Sequence, residues 1–371
     1  MKSKVKVAIV GLGFGKEFIP IYQQHPDSEV FAICQRNEQS LREIGDKFGI
    51  KHRFTKFEDL LTIKEIDAIH VVTPIFDHAS MSLAALEAGK HCACTVPMGT
   101  TLDECKAIVK AEKKARKVYM MMETAVYTRE FLYVKDLVQS GKPGRIQFAR
   151  GSHMQDMGLK GWPDYWKGLP PMWYGTHAIG PLLCITNTRA ESVVCHGSGS
   201  ISQELAQHYG SPFAVETATF RLKDTNIVVE ATRALYETVR QYRESFDIYG
   251  DKMAYEWEQL ADEGAALFEG GENARRIQAP DTDALLPKAI AKFTRREQID
   301  DQEHVSFIQG AGHGGSHPHL VQEFIRAIME GRPAAVNAVT SANWTCAGIC
   351  AHASALKNGE RIFLPDFENL S

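Results

Sequence analysis

A glycine-rich turn follows the first apolar run of the chain, where backbone groups can hold an anion. Val5–Val10 is typical of a strand, and a helical pattern follows Gly11-Leu12-Gly13-Phe14-Gly15-Lys16. Gly11 permits a tight turn, and Gly13 lets backbone N–H groups approach a pyrophosphate. Lys16 stands at the third position of the dinucleotide fingerprint, so Gly15 takes over that close contact. A tight turn without a ligand is the alternative. We predict a dinucleotide site contacted by Gly11, Gly13, Phe14 and Gly15.

The residues that follow the second strand-like run help to determine whether NAD or NADP is bound. An acid is expected here, about 20 residues after the glycines, to bind the adenosine ribose of NAD. This chain has Cys34-Gln35-Arg36-Asn37 instead. Gln35 can hydrogen-bond a ribose hydroxyl, and Arg36 can stack on adenine or pair with a 2′-phosphate. We predict that both contact the cofactor, and the choice between NAD and NADP stays open.

Histidine and tyrosine side chains in the middle of the chain are candidates for proton transfer. His177 has an ordinary pKa of about 6.5, which suits proton exchange near neutrality. Tyr174 can relay the proton or hydrogen-bond a developing oxyanion. A second acid or base would come from His153, Asp156 or Tyr127. The alternatives are a packed histidine at a helix start and, for the other three, ordinary surface or capping hydrogen bonds.

An aromatic segment and a histidine-rich segment complete the candidates. The stretch from Trp162 to Trp173 is dense in aromatic residues and prolines, as a rigid sugar-stacking loop would be, although core or oligomer packing explains it equally well. His313, His317 and His319 suggest a metal site, but a glycine-rich loop that leads into a helix is the more economical explanation. We predict no metal, and His313 remains a candidate for contact with substrate or nicotinamide.

Two kinds of element must position these groups. Through about residue 125, short β-branched runs alternate with amphipathic helical patterns, which predicts a Rossmann domain with a doubly wound parallel sheet over residues 1–125. After Tyr127 the segments alternate polar and apolar residues, as in antiparallel strands. We therefore predict an α/β protein whose residues 126–371 form an α+β domain with a largely antiparallel open sheet.

Length and composition exclude several classes of partner. The 371 residues suffice for two domains, with 44% hydrophobic and 24% charged residues. A net charge of -4 without a basic run argues against nucleic acid. No apolar run reaches the roughly 18 residues of a membrane span. The eight cysteines are scattered, which indicates buried free thiols and a cytoplasmic protein.

Several motifs give the chain a resemblance to the Gfo/Idh/MocA family, the glucose–fructose oxidoreductase and inositol dehydrogenase group. They are the glycine turn, Thr73-Pro74-(x)3-His78, Ala88-Gly89-Lys90-His91 and Pro97. The resemblance spans essentially the whole chain. It implies an NAD cofactor, a sugar or polyol substrate and a homo-oligomer, a dimer or tetramer. It also implies cofactor contacts from Thr73, Pro74, His78, Thr95, Pro97 and Glu123.

Two family motifs are altered in this chain. Where most members have Glu-Lys-Pro, with a lysine that polarises or deprotonates the reacting hydroxyl, this chain has Thr95-Val96-Pro97. The Asp-x-Gly-x-His motif becomes Trp173-Tyr174-Gly175-Thr176-His177, which keeps the histidine and lacks the aspartate. The resemblance therefore leaves His177 as the expected base.

Three further segments are similar to segments of the NAD-dependent α-N-acetylgalactosaminidases, glycoside hydrolases with this fold. They are Met121-Met122-Glu123-(x)3-Tyr127, Tyr174-Gly175-Thr176-His177-(x)2-Gly180-Pro181 and Gly312-His313-Gly314-Gly315. Those enzymes also have valine in place of the lysine, but a glutamate where this chain has Thr95.

The sequence thus predicts an NAD(P)-dependent oxidoreductase that moves a hydride to or from a secondary hydroxyl carbon of a sugar or sugar derivative. One alternative is an NAD-dependent glycoside hydrolase or lyase, with transient C3 oxidation, elimination and recycled NADH. The other alternative is a non-catalytic dinucleotide-binding regulator.

Overall fold

A six-stranded parallel sheet forms the N-terminal third of the protein in the computed structural model, which describes residues 4–238, 240, 242–260, 262–270, 274–295 and 312–370. The strand order is β3-β2-β1-β4-β5-β6. Consecutive side chains Val7, Ala8 and Ile9 are fully buried, since layers cover both faces of the sheet. The strands are β1 Val5–Val10, β2 Ser28–Cys34, β3 His52–Phe54, β4 Ala68–Val71, β5 His91–Cys94 and β6 Tyr119–Met121.

A nine-stranded sheet follows, with the order β14-β13-β12-β11-β7-β10-β9-β8-β15. β7 and β10 pair in parallel, and the other neighbours are antiparallel. The predicted α/β fold class, with a parallel and a largely antiparallel sheet, is confirmed. The strands are β7 Ile146–Gln155, β8 Ala190–Ser198, β9 Val215–Leu222, β10 Val228–Ala234, β11 Tyr242–Gly250, β12 Ala254–Glu256, β13 Ala265–Phe268, β14 Ala274–Ile277 and β15 Ile362–Phe363.

Helices connect and cover the two sheets. The α-helices are α1 Leu12–Gly15, α2 Ile19–Gln24, α3 Glu38–Lys47, α4 Phe57–Leu61, α5 His78–Glu87, α6 Leu102–Ala115, α7 Arg129–Gln139, α8 Thr176–Thr186, α9 Gln203–Tyr209, α10 Lys288–Ala291, α11 His317–Glu330 and α12 Ala338–Leu356. The 3₁₀ helices are Lys16–Phe18, Ile75–Asp77, Thr124–Val126, Asp164–Trp166, Pro171–Tyr174, Asp283–Leu285, Lys292–Thr294 and Gly312–Gly315.

Two C-terminal helices pack onto earlier parts of the chain. α11 has a strongly amphipathic sequence, and its apolar side chains Leu320, Phe324 and Ile325 join the cluster that contains β1 and α2. α12 packs between α6 and β8. The late segments thus stabilise the parallel sheet as well as the second one.

The ends of strands from both sheets meet at a cleft. The turn after β1, the residues after β4 and β5, and Gln155 at the end of β7 all line it. This arrangement agrees with the rule that ligands bind beyond the carboxyl ends of parallel strands. In the part of the chain that the structure describes, no helix has the length and apolar character of a membrane span. All eight cysteines are free thiols, seven of them buried.

Candidate active site

The cleft has a volume of about 740 Å³ and runs from the glycine turn to the start of α8. It brings together residues that the sequence places far apart. The predicted site residues that line it are Gly11, Gly13, Phe14, Gln35, Arg36, Thr73, Pro74, His78, Thr95, Tyr174 and His177.

The glycine turn has the shape that a dinucleotide needs. Gly11 has a φ of 87°, and a Cβ atom there would lie 2.3 Å from the carbonyl oxygen of Val72. A Cβ atom at Gly13 would meet nothing within 4 Å, because that side of the turn opens into the cleft. Gly15 instead packs against β1 and Val72, and a Cβ there would contact Ile9 at 3.2 Å. The turn therefore fits a diphosphate group.

Gln35 braces this turn. Its Oε1 atom accepts a hydrogen bond of 3.0 Å from the backbone N–H of Leu12. Arg36 is exposed at the same end of the cleft, beside Lys56. Contact of Gln35 with an adenosine ribose, and of Arg36 with the adenine or a 2′-phosphate, stays a prediction.

His78 joins the ends of two neighbouring strands. It is buried, with Nδ1 2.7 Å from the carbonyl oxygen of Pro97 and Nε2 2.9 Å from that of Thr73. The Thr95 hydroxyl lies 3.3 Å from the same Nε2 atom. Burial lowers the pKa of His78, although the two carbonyl contacts oppose this shift. His78 therefore fixes the loops that form the floor of the cleft.

His177 occupies the inner end of the cleft, in the first turn of α8. Its Nδ1 atom lies 2.5 Å from Oε1 of Glu123, and its Nε2 atom lies 3.3 Å from the hydroxyl of Tyr174. Burial lowers the pKa of His177, but the carboxylates of Glu123 and Glu244 outweigh this effect and raise it above its ordinary value. The three side chains form a chain of contacts from the cleft to a buried carboxylate.

Tyr174 ends the 3₁₀ helix Pro171–Tyr174, and Arg233 lies beneath it. The Nε atom of Arg233 donates a 2.8 Å hydrogen bond to the Tyr174 carbonyl oxygen, and its guanidinium carbon lies 5.2 Å from the ring centre. Burial raises the pKa of Tyr174, whereas Arg233 opposes this shift. The hydroxyl is therefore neutral near pH 7 and able to donate.

His153 and Glu244 lie behind His177. They face each other across β7 and β11, in direct register. Burial and then Arg233 hold the pKa of His153 well below its usual value, whereas burial raises the pKa of Glu244. Glu244 was not predicted as a site residue, because strand pairing rather than any local motif places it beside His153.

Several predicted residues lie outside the cleft lining. Asp156 accepts a 2.8 Å hydrogen bond from the N–H of Gly158, at the start of the aromatic loop. Tyr127 packs at the junction of two hydrophobic clusters. Glu123 is completely buried beneath His177. The roles predicted for these residues stay predictions. The others outside the lining are Gly15, Pro97 and His153.

Other lining residues were not singled out as site residues. Met122 and Thr124 follow β6, and Lys56 follows β3. Nothing in their local sequence separates them from ordinary loop residues. The aromatic segment and a histidine also reach the cleft, through Trp162, Pro163, Tyr165, Trp166 and His313.

Val96 lines the cleft with 7% of its surface exposed. It follows β5 at the position of the lysine discussed above. A valine side chain can neither accept nor donate a proton there. Proton transfer in this cleft must use other side chains, and His177 and Tyr174 are candidates that line it.

Comparisons with known proteins agree with this geometry. Residues 5–123 match the model of the oxidoreductase family GFO_IDH_MocA, its NAD-binding Rossmann fold. A glycosyl hydrolase family 109 protein of Saccharopolyspora erythraea is 28% identical, over 48% of this chain and 43% of that protein. The chain thus spans less than half of the length of that relative. A glycosyl hydrolase family 109 protein 1 of Phocaeicola vulgatus is 22% identical, over 98% of this chain and 84% of that protein.

Solved structures share the whole fold. Levoglucosan dehydrogenase in complex with NADH and levoglucosan superposes with a TM-score of 0.78, at 18% identity, over 98% of this chain and all of that one. Myo-inositol 2-dehydrogenase from Lactobacillus plantarum superposes with a TM-score of 0.75, at 16% identity and the same coverage. The resemblance to the Gfo/Idh/MocA family is thus confirmed, with residues 5–123 as the NAD-binding Rossmann fold of this oxidoreductase family.

Proposed function

We propose that the protein is an NAD-dependent oxidoreductase that acts on a secondary hydroxyl of a sugar or sugar derivative. One observation carries the proposal: a single cleft joins the glycine turn to the Tyr174–His177–Glu123 chain. The glycine turn would hold the dinucleotide, whose nicotinamide would supply the hydride chemistry. The relatives and structural neighbours named above support a carbohydrate as the substrate class.

The Tyr174–His177 pair would handle the proton of the reacting hydroxyl. With its proton on Nδ1, donated to Glu123, His177 accepts from the Tyr174 hydroxyl at Nε2. Tyr174 can then take a proton from the substrate as it passes its own to His177. The buried carboxylate of Glu123 stabilises the resulting imidazolium, which is the role of a carboxylate beside a general-base histidine.

The aromatic loop would hold the sugar. Trp162, Tyr165 and Trp166 line the cleft on the side of the second sheet. Their rings offer apolar faces to the C–H faces of a sugar.

A glycoside hydrolase that recycles NAD is the second candidate. Two observations favour this hydrolase: Val96 stands where most family members have a lysine, and several relatives are named glycosyl hydrolases. Elimination and water addition need a further acid or base, and His153, Asp156 and Tyr127 are the candidates from the sequence. The reaction would leave no net NADH, because the same cofactor reduces the sugar again.

One assay separates these functions. The purified protein is incubated with NAD⁺ and a panel of free sugars, polyols and aryl glycosides. Lasting absorbance of reduced nicotinamide supports the oxidoreductase, and release of the leaving group without lasting NADH supports the hydrolase. If NAD⁺ binds but neither signal appears with any substrate, a non-catalytic regulator becomes the better account.

The His177→Gln variant tests the proton pathway. Loss of the base should lower turnover by about 10²- to 10⁴-fold, while NAD affinity stays unchanged because the glycine turn is intact. His208→Gln, on the exposed face of α9, is the matched control. Undiminished turnover in His177→Gln would remove the histidine from the mechanism.

We further propose a division into domains of residues 1–125 and 126–371, a homo-oligomeric assembly, as dimer or tetramer, and a cytoplasmic location. The family resemblance, which implies a homo-oligomer, supports the assembly. Light scattering of the purified protein measures the number of subunits. A monomer at micromolar concentration would contradict the proposed assembly.

A further inference from the structure

Two histidines and a glutamate converge behind the cleft. His153 on β7 faces Glu244 on β11 in register, and His177 from α8 lies across both. One potential ligand atom from each lies within 4.8 Å of the others. The ring centres of His153 and His177 are 4.9 Å apart, and His177 Nδ1 lies 3.5 Å from Oε1 of Glu244.

Both histidines are buried and Glu244 is partly buried, and several polar atoms of the cluster have no hydrogen-bond partner among the described residues. Only 1% of His153 is exposed, and neither of its ring nitrogens has a partner among the described residues. Oε1 of Glu244 and Oε2 of Glu123 also have no hydrogen-bond partner among the described residues. A buried polar atom without a partner is destabilising by about 1–3 kcal/mol. The cluster therefore has the donors of a binding site rather than of a packed core.

The fixed charges around the cluster are unequal, with two carboxylates and one guanidinium. Two carboxylates, Glu123 and Glu244, act on His177. In the described part of the chain, Arg233 is the one cation of fixed charge that acts on Glu244. Its N–H groups bond neutral oxygens of Tyr174, His153, Ala234 and Gln155. A cation bound here would balance the second carboxylate in place of a proton on His177.

We propose that His153, His177 and Glu244 bind a divalent transition-metal ion, with Zn²⁺ as the expected ion. Two imidazoles and one carboxylate are a known zinc donor set that leaves a further coordination position. Glu123 is close enough to supply another oxygen. No metal was predicted from the sequence, because only histidines at helical spacing suggested one there. His153 and Glu244 are brought together by the pairing of β7 with β11.

The ion has a role that rests on the proposed function, whereas the site itself does not. Bound at Nδ1 of His177, it leaves the Nε2 proton to donate to the Tyr174 oxygen. With the ion bound, the Tyr174 oxygen would itself accept the proton of the substrate, whereas in the metal-free protein Tyr174 passes its proton to His177. The ion would thereby supply a positive charge near the cleft, where most family members have a lysine at the position of Val96.

Metal binding is tested on the full-length protein after treatment with a chelator. We expect calorimetry to detect one Zn²⁺ per chain, and Co²⁺ to give the visible absorption of a site with nitrogen and oxygen ligands. His153→Gln and Glu244→Gln should each weaken Zn²⁺ binding at least about 10-fold. His352→Gln, which breaks the buried His352–Glu216 pair elsewhere, should leave it unchanged.

The possible results are distinguishable. The metal proposal is overturned if the wild-type chain binds NAD but neither Zn²⁺ nor Co²⁺, or if His153→Gln and Glu244→Gln bind Zn²⁺ as tightly as wild type. Should a variant fail to fold, the Co²⁺ spectrum of the wild type still decides. Binding of one Zn²⁺ without affinity for NAD would instead contradict the proposed function and leave the metal site standing.

Discussion

Val96 changes which residues can move a proton in the cleft. The position is buried and apolar, so the reacting hydroxyl meets no lysine there. In the proposed mechanism His177 takes over this task, and a buried carboxylate holds its ring and raises its pKa. Chemistry at this site therefore depends on an interaction between residues that are far apart in sequence.

Replacement of Glu123 by Gln tests that interaction. Gln keeps the size and the hydrogen bond but removes the charge that stabilises a cationic ring or ion, so turnover should fall by about 10²-fold. NAD affinity, measured by calorimetry, should not change, because Glu123 is completely buried and does not line the cleft. A weaker affinity for NAD would support direct cofactor contact, as the family resemblance implies.

Local motifs predicted some of these residues but not others. His177 and Tyr174 stand within one short motif, and the glycine turn follows a strand directly. Glu244 has no such motif, since it reaches His153 only through the register of β11 against β7. Long-range register depends on the packing of the whole sheet, which a single sequence does not specify.

At the scale of elements, the glycine turn offers a matched pair of variants. Gly13→Ala adds a methyl group where no atom lies within 4 Å, so folding should change by less than about 1 kcal/mol. The methyl group faces the cleft, and NAD affinity should fall at least about 10-fold. Gly11→Ala meets the carbonyl of Val72 at 2.3 Å with a φ of 87°, and should be destabilising by about 1–3 kcal/mol.

Urea unfolding and calorimetry on both variants measure these effects. If Gly13→Ala binds NAD as tightly as wild type, the turn does not hold the diphosphate. If Gly11→Ala is as stable as wild type, the turn has relaxed and its strained geometry is not required.

The aromatic loop gives a prediction about the substrate. Trp162→Ala removes a ring that lines the cleft, and loss of stacking should raise KM for the sugar roughly 2- to 10-fold. Turnover and NAD affinity should change less, because the loop lies away from the glycine turn. Trp257→Ala is a control outside the cleft lining. An unchanged KM would favour the packing role for the loop.

The elements themselves were more predictable than their arrangement. Helix α6 begins with a capping box of Thr101 and Glu104, which the spacing of these two residues indicates because a cap is a local interaction. β1 occupies the predicted Val5–Val10. By contrast, the parallel pairing of β7 with β10 could not be derived, since β8 and β9 intervene in the chain.

At the scale of the whole molecule, the late helix α11 packs against the parallel sheet and buries several histidines. His317 packs against Phe18, which also contacts His70 of β4. His319 bonds the Thr282 hydroxyl at 2.8 Å. Burial lowers the pKa of His70 to about 3 and the pKa of His317 and His319 to about 4. The folded protein therefore keeps all three neutral.

These shifts predict a loss of stability in acid. Above about pH 6.5 both the folded and the unfolded chain hold neutral histidines, so the contribution is constant. As the pH falls from about 6.5 toward 4, the unfolded chain binds more protons, and each histidine lowers the free energy of unfolding by about 1.4 kcal/mol per pH unit. Urea unfolding at several pH values in this window measures the slope.

His319→Gln assigns part of that slope to one side chain. Glutamine can reach the Thr282 hydroxyl as Nε2 does, so the fold should persist and the slope should fall by about 1.4 kcal/mol per pH unit. His208→Gln, at an exposed position of α9, should leave the slope unchanged. A slope equal to that of wild type in His319→Gln would mean that this histidine is already charged in the folded protein, against the burial that α11 imposes on it.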